Sequence, residues 1–263
     1  MELLKHFVQE ADKYFIFKLK DKEIDEFLSK LPIEYRKCYI TDEKIDEILQ
    51  GHKKKANNPR IQITTKEIIQ NKIPDPGSVM AGDFGEITSY FMLREKYLPK
   101  KMFDPRKWSW KTDRNKAMHH SDVILFHKNL KVSKDDLVVI AETKVKATAT
   151  RRNPIQDAVD GINKDYTSRL AKTLTWLKEI YTTIEPDSNK IEFLDRFINS
   201  QENKYGEYTK HFKAIAIIDN SFLNNELASK IDDPKIDNLE IIIISIKNLK
   251  NTYEFTYRKM TES

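Results

Sequence analysis

Apolar positions along the chain form two kinds of run. Short blocks rich in branched and aromatic residues have strand length: "KYFIFKLKD" (13–21), "DVILF" (122–126), "LVVIAETK" (137–144), "FKAIAIID" (212–219) and "LEIIIISI" (239–246). Between them apolar residues recur at helical spacing. Phe84, Ile87 and Phe91 make one stripe within 82–97, and Ile155, Ala158, Val159 and Ile162 open a long helical stretch over 155–181. A further helix is predicted near 189–199 and a helical piece near 221–230. The beginning of the chain holds shorter elements: a helix over 22–31, a helix over 42–50 that Gly51 should stop, a basic loop from 51 to 60, and a helix in "TTKEIIQNKI" ended by "PDPGS". That Pro/Gly cluster places a boundary near residue 76. It divides an N-terminal α/β region, 1–76, a candidate for partner docking, from a main domain at 77–263. Helices falling between apolar strands predict an α/β fold with a mixed central sheet flanked by helices.

Composition narrows the picture only a little. The 263 residues are 39% hydrophobic, enough for one large domain or two small ones. Charged residues make up 33%, and the net charge of +5 permits nucleic-acid binding without requiring it. The single cysteine, Cys38, excludes an internal disulfide framework and a cysteine-rich zinc site. The first residues carry acids and no long apolar core, unlike a signal peptide, and no apolar run approaches the ~18 residues of a membrane span. A cytoplasmic setting is the expectation.

The chemistry concentrates at the end of one strand. In "LVVIAETKVK" five mostly apolar residues lead into Glu142, Thr143 and Lys144. The same acid-x-Lys spacing recurs at Asp42 and Lys44, Glu202 and Lys204, and Asp233 and Lys235, but none of these follows an apolar strand. A strand repeats every second residue, so Glu142 and Lys144 should share one face and Thr143 the other. Asp122 opens the preceding strand. A hairpin centred near residue 132 would set Asp122 opposite Glu142, roughly 5 Å away. Two carboxylates that close repel unless a cation joins them. Hard oxygen ligands favour Mg²⁺ (or Mn²⁺), and Lys144 beside them would orient a water or offset charge on phosphate. Glu86, in "GDFGE" at the expected start of a helix, is a third carboxylate that can turn toward the sheet.

Glu86, Asp122 and the Glu142–Thr143–Lys144 trio resemble the signature of the PD-(D/E)xK nuclease superfamily, with "HHSD" in place of the usual Pro-Asp before the strand. The stretches "AGDFGEITSYFMLREKY", "HHSDVILF" and "VVIAETKVK" are similar, more narrowly, to the HamA family, the nuclease subunits of Hachiman anti-phage defence systems. The resemblance covers about residues 77–250 and is weaker over the first 75. It implies a restriction-endonuclease-like core, metal-dependent cleavage of DNA, metal binding by Asp122, Glu142 and Glu86 with Lys144 catalytic, and a superfamily-2 helicase partner. Gln156 resembles a glutamine that many superfamily members hold near the site.

Other residues are candidates by position. Lys146, Arg151 and Arg152 follow the ExK strand, where they could meet phosphate. The stretch 98–117 is basic, with Trp108 and Trp110 expected on one face of a strand and filling the core. His119 and His120 read as loop residues. Two other functions stay open: a non-catalytic subunit that grips DNA or a helicase on a nuclease fold, and a restriction- or transposition-type endonuclease.

Overall fold

The computed structural model describes residues 2–11, 14–55, 63–131, 133–202, 206–232 and 235–262. Six strands form one mixed sheet in the order β1 (Phe7–Ala11), β2 (Phe15–Leu19), β6 (Leu239–Ile246), β5 (Thr209–Asp219), β4 (Leu137–Lys146), β3 (Val123–His127). The four inner strands run parallel to one another, and each edge strand pairs antiparallel with its neighbour. Helices cover both faces, which is why β5 and β6 read as unbroken apolar runs rather than alternating ones. This is the mixed α/β architecture of a restriction-endonuclease-like core.

Strand alternation divides β4 between two cores. Leu137, Val139 and Ala141 pack with α1 (Ile24–Tyr39), α4 (Ser78–Lys96) and α9 (Leu249–Met260). Val138 and Ile140 pack on the other face with α5 (Pro154–Lys164), α6 (Leu170–Thr183) and α7 (Ser188–Ile198). The helices α2 (Asp42–Lys55), α3 (Thr65–Gln70) and α8 (Leu223–Leu227) complete the set among the described residues.

Residues on both sides of position 76 share this sheet and core. β2 hydrogen-bonds to β6, and β1 extends the sheet beyond it. The Tyr35 hydroxyl meets Thr88 Oγ1 at 2.6 Å, and the Tyr39 hydroxyl donates to Asp83 at 2.6 Å, so α1 is bound to α4 by buried polar contacts.

Several elements differ from their sequence-predicted extents. The first helix runs past Pro32 to Tyr39, because Phe27, Leu31, Tyr35 and Tyr39 form one buried stripe whose packing outweighs the bond that proline removes. Gly51 does not stop α2, which continues to Lys55; a lone glycine weakens a helix by only about 1 kcal/mol unless it turns left-handed. β1 was not foreseen. The stretch 98–117 holds no strand of the sheet: Lys107–Trp110 is a 3₁₀ turn. Its tryptophans point to different cores, Trp108 into the α1/α4 side and Trp110 against Trp176 and Tyr181 on the other. The helical stretch after β4 is interrupted by a π-turn at Asp165–Arg169, between α5 and α6. Among the described residues no helix is long and apolar enough to cross a membrane.

One buried ion pair ties α7 to the start of β4. Asp136 is fully buried and accepts from Arg196 Nε at 2.7 Å and from the Asn129 amide at 2.8 Å; Arg196 also reaches the carbonyl of Gly206 at 3.2 Å. Removing one partner strands the other charge. Arg196→Met should therefore destabilise the chain by about 3–5 kcal/mol, read as a lower chemical-denaturation midpoint.

Candidate active site

The β3–β4 hairpin brings the first two carboxylates to one place. Its register pairs Val123 with Ala141 and Ile124 with Ile140, so one further step along the ladder sets Asp122 beside Glu142. Asp122 precedes β3, and its carboxylate accepts the Thr143 backbone N–H at 2.8 Å. Glu142 and Lys144 lie on the α5 face. Thr143 faces α4, where its hydroxyl donates to Ser89 Oγ at 2.9 Å.

Glu86 comes from the other side of the sheet. It sits midway along α4, not in the first turn, so the helix dipole does not explain it. A Cβ on the preceding residue, Gly85, would stand 2.4 Å from Val145 Cγ2, so only glycine lets α4 approach β4 this closely. Glu86 Oε2 accepts the Trp108 indole N–H at 3.0 Å and lies 3.1 Å from Lys107 Nζ. The same ammonium donates to the Ser121 carbonyl at 3.1 Å and lies 3.8 Å from Asp122 Oδ1. Lys107 thus bridges two of the three predicted ligands.

The electrostatics follow from burial. Burial raises the Glu86 carboxyl above its ordinary value, and Lys107 only partly offsets this. Burial, and then the neighbouring Glu86, push Asp122 up to about 6 against the opposing pull of Lys107, Lys144 and the Thr143 N–H. Burial alone would depress Lys144, but Asp122 and Glu142 outweigh it and hold the ammonium above its usual range.

Glu142 is buried, and both its oxygens are engaged: Oε1 by Lys144 and Oε2 by Arg169. Arg169 belongs to the π-turn, and π-turns recur at functional sites. It is held by Asp165 from one turn earlier, through Nε to Oδ1 at 3.0 Å and a second contact to Oδ2, and it donates to the Gly161 carbonyl at 3.0 Å. Asp165 in turn accepts the Ser121 hydroxyl at 2.5 Å. Gly161 permits this packing, since a Cβ there would fall 2.4 Å from Glu142 Cγ. Four carboxylates and three cations therefore close around the start of β3 and the second half of β4.

The remaining candidates are dispersed. Lys146 is buried and turned to Glu226 at 2.5 Å and to the Arg152 carbonyl at 2.9 Å. Arg151 and Arg152 are exposed in the loop that follows. The Gln156 amide is tied to Asp160 at 2.8 Å and to the Asp232 N–H at 2.9 Å. His119 is exposed, whereas His120 has positive φ and stacks on Trp176 at 4.6 Å. Of the comparison acid-x-Lys pairs, Asp42 opens a surface helix, while Lys204 and Asp233 lie outside the described residues.

Two groups have chemistry suited to a metal. One tight group of potential ligands exists among the described residues: His6, Glu23 and Glu26, whose ligand atoms lie within 4.8 Å of one another. It stands just before β1, at the opposite edge of the sheet from Asp122. Glu26 is already shared by Lys30 at 2.6 Å and Lys5 at 3.3 Å, which hold its carboxyl down at about 2. Glu86, Asp122 and Glu142 are not drawn as tightly to one point; Lys107, Lys144 and Arg169 stand among them. Their chemistry fits a hard divalent ion all the same. They offer carboxylate oxygens, and burial together with the neighbouring Glu86 keeps the Asp122 carboxyl raised although Lys107 and Lys144 oppose the shift.

Four participants escaped the sequence reading: Ser121, Asp165, Arg169 and the bridging role of Lys107. Asp165 and Arg169 do leave a signal, an acid–arginine pair four residues apart in the helical stretch after the ExK strand. Such pairs are common on solvated helices, as Glu26 and Lys30 illustrate.

The raised Asp122 carboxyl has a consequence for stability. Its folded value near 6 exceeds the ~3.9 of an unfolded aspartate, so the folded chain binds more protons in between, and stability falls as pH rises through that window. In metal-free buffer the wild type should lose on the order of 1–3 kcal/mol from this group between pH 4 and 7. Asp122→Asn should flatten that part of the slope in denaturant melts taken across the range. An unchanged slope would place the carboxyl in a solvated setting.

No curated protein matches the sequence. A family model described as HamA matches residues 4–260, which takes in both N-terminal strands, the Glu86 helix and the ExK hairpin. Matched over nearly its whole length, and carrying the acid–acid–lysine edge on a mixed sheet, the chain belongs to HamA, a PD-(D/E)xK-like nuclease family.

Proposed function

We propose that the chain hydrolyses phosphodiester bonds in DNA with Mg²⁺ or Mn²⁺, as the effector of an anti-phage defence system that works with a superfamily-2 helicase subunit. The observation that carries this reading is the convergence of Asp122, Glu142 and Lys144 at one end of the β3–β4 hairpin, with Glu86 joined to Asp122 through Lys107. The helicase partnership and the defence role rest on the HamA family alone.

Asp122 and Glu142 would hold the ion, with Glu86 supporting it directly or through water. A bound divalent ion would supply Lewis acidity, making an attacking water more acidic and drawing charge from the phosphate. The chain's own residues do the rest. Lys144, a third exposed and kept charged by two carboxylates, can donate to the attacking water or to a phosphate oxygen. The Thr143 N–H fixes the Asp122 carboxylate, and Lys107 holds Glu86 toward it. Arg151 and Arg152, exposed in the loop after β4, would meet the nucleic-acid backbone. Lys146 would join them only by leaving Glu226, and Gln156 only by leaving Asp160 and the Asp232 amide.

One observation favours a non-catalytic binding subunit instead: both Glu142 oxygens are satisfied by side chains of the chain itself, as a purely structural ion-pair network would be. Plasmid cleavage with Mg²⁺ or Mn²⁺, with and without the helicase subunit, separates the two. Lys144→Ala should reduce cleavage by about 10²–10⁴-fold while the melting temperature stays within a few degrees of wild type. Wild-type protein that is inert in every condition, or a Lys144→Ala chain that loses stability rather than activity, would favour the binding subunit.

A further inference from the structure

Arg169 is the least expected member of the site. It is absent from the acid–acid–lysine pattern, yet it takes one of the two Glu142 oxygens. It also lies where a competing cation could leave. The Glu142 side chain is 5% exposed and that of Arg169 is 22% exposed, so the guanidinium occupies the solvent side of the pair. Its other anchors do not depend on Glu142: Asp165 holds it through two contacts, and the Gly161 carbonyl accepts a third hydrogen bond. Asp165 is itself fixed by the Ser121 hydroxyl. A guanidinium so parked can give up Glu142 and keep its remaining bonds.

We propose that Arg169 is a positioning residue that competes with the divalent ion for Glu142, so that loading the site requires the guanidinium to withdraw onto Asp165. This inference rests on the nuclease reading and deepens it. A divalent ion on Glu142 would stand within a few ångströms of the guanidinium on Oε2, and at that range like charges repel strongly where solvent is scarce. Metal affinity is therefore lowered by the free energy of opening the Arg169–Glu142 contact. Asp165 and Arg169 are the two ends of the π-turn, four residues apart, directly after the α5 segment whose Gly161 lies against Glu142. The chain thereby carries its own check on metal loading, one that any binding event shifting the π-turn would relieve.

The test is Mn²⁺ titration of the purified full chain, without DNA, by calorimetry and by the Mn²⁺ paramagnetic resonance signal. Arg169→Ala should bind Mn²⁺ at least about tenfold more tightly than wild type. Arg169→Met, which keeps the apolar stem, should do the same if the alanine variant fails to fold. Lys172→Ala removes an exposed charge one turn further along the helical stretch and should change affinity by less than about twofold, as expected of a screened surface charge. Unchanged or weaker binding in both Arg169 variants would overturn the inference while leaving the nuclease reading intact. So would an equal tightening in Lys172→Ala, since that would be long-range charge alone. Glu142→Gln separates the two levels: if it binds Mn²⁺ as wild type does, Glu142 is not a ligand, and the metal reading falls together with the role of Arg169.

Discussion

Burying several carboxylates at one end of a hairpin is the constraint on which the rest of this structure depends. Each buried anion carries a desolvation cost that only nearby positive charge can offset. The chain meets that cost with Lys107 between Glu86 and Asp122, Lys144 on Glu142, and Arg169 spanning Glu142 and Asp165. The offset is incomplete: the carboxyls of Glu86, Asp122 and Asp165 stay raised, burial being the largest cause of each, and positive charge near them would favour their ionised forms.

The scaffold is shaped to make that crowding possible. Two glycines let helices approach β4 from opposite faces, Gly85 against Val145 and Gly161 against Glu142. The close approach brings Glu86 in from one side and the Arg169–Asp165 pair from the other. With an alanine at either position, the Val145 or Glu142 side chain would have to give way. Strand alternation then distributes the roles: Glu142 and Lys144 work on the α5 face, while Thr143 binds Ser89 on the α4 face and its backbone fixes Asp122. The N-terminal strands and α1 complete the sheet and brace α4, which links them physically to the placement of Glu86.

Membership of HamA supports a nuclease or effector role for the chain. Lys107, Lys144 and Arg169 leave both Glu142 oxygens engaged and Glu86 bridged to Asp122. The second acidic cluster, His6 with Glu23 and Glu26, lies at the opposite edge of the sheet, and Lys5 and Lys30 share its Glu26.

The strands, the long helices, the hairpin centre near residue 132 and the shared face of Glu142 and Lys144 were fixed by local pattern, because strand period and apolar runs depend only on neighbours in sequence. Glu86, Asp122, Glu142 and Lys144 stood out for the same reason: each sits beside an apolar run that sets its orientation. Tertiary packing decided everything that depends on residues far apart. It carried α1 through Pro32, kept Gly51 helical, drew β1 and β2 into the main sheet, and split Trp108 from Trp110. It also buried Lys146 against Glu226, some 80 positions away, and turned Lys107 from a surface cation into a bridge between two acids. Arg169 was hidden most deeply. Its role needs a π-turn that no spacing rule announces and a glycine whose lack of a side chain matters only because a buried glutamate lies against it.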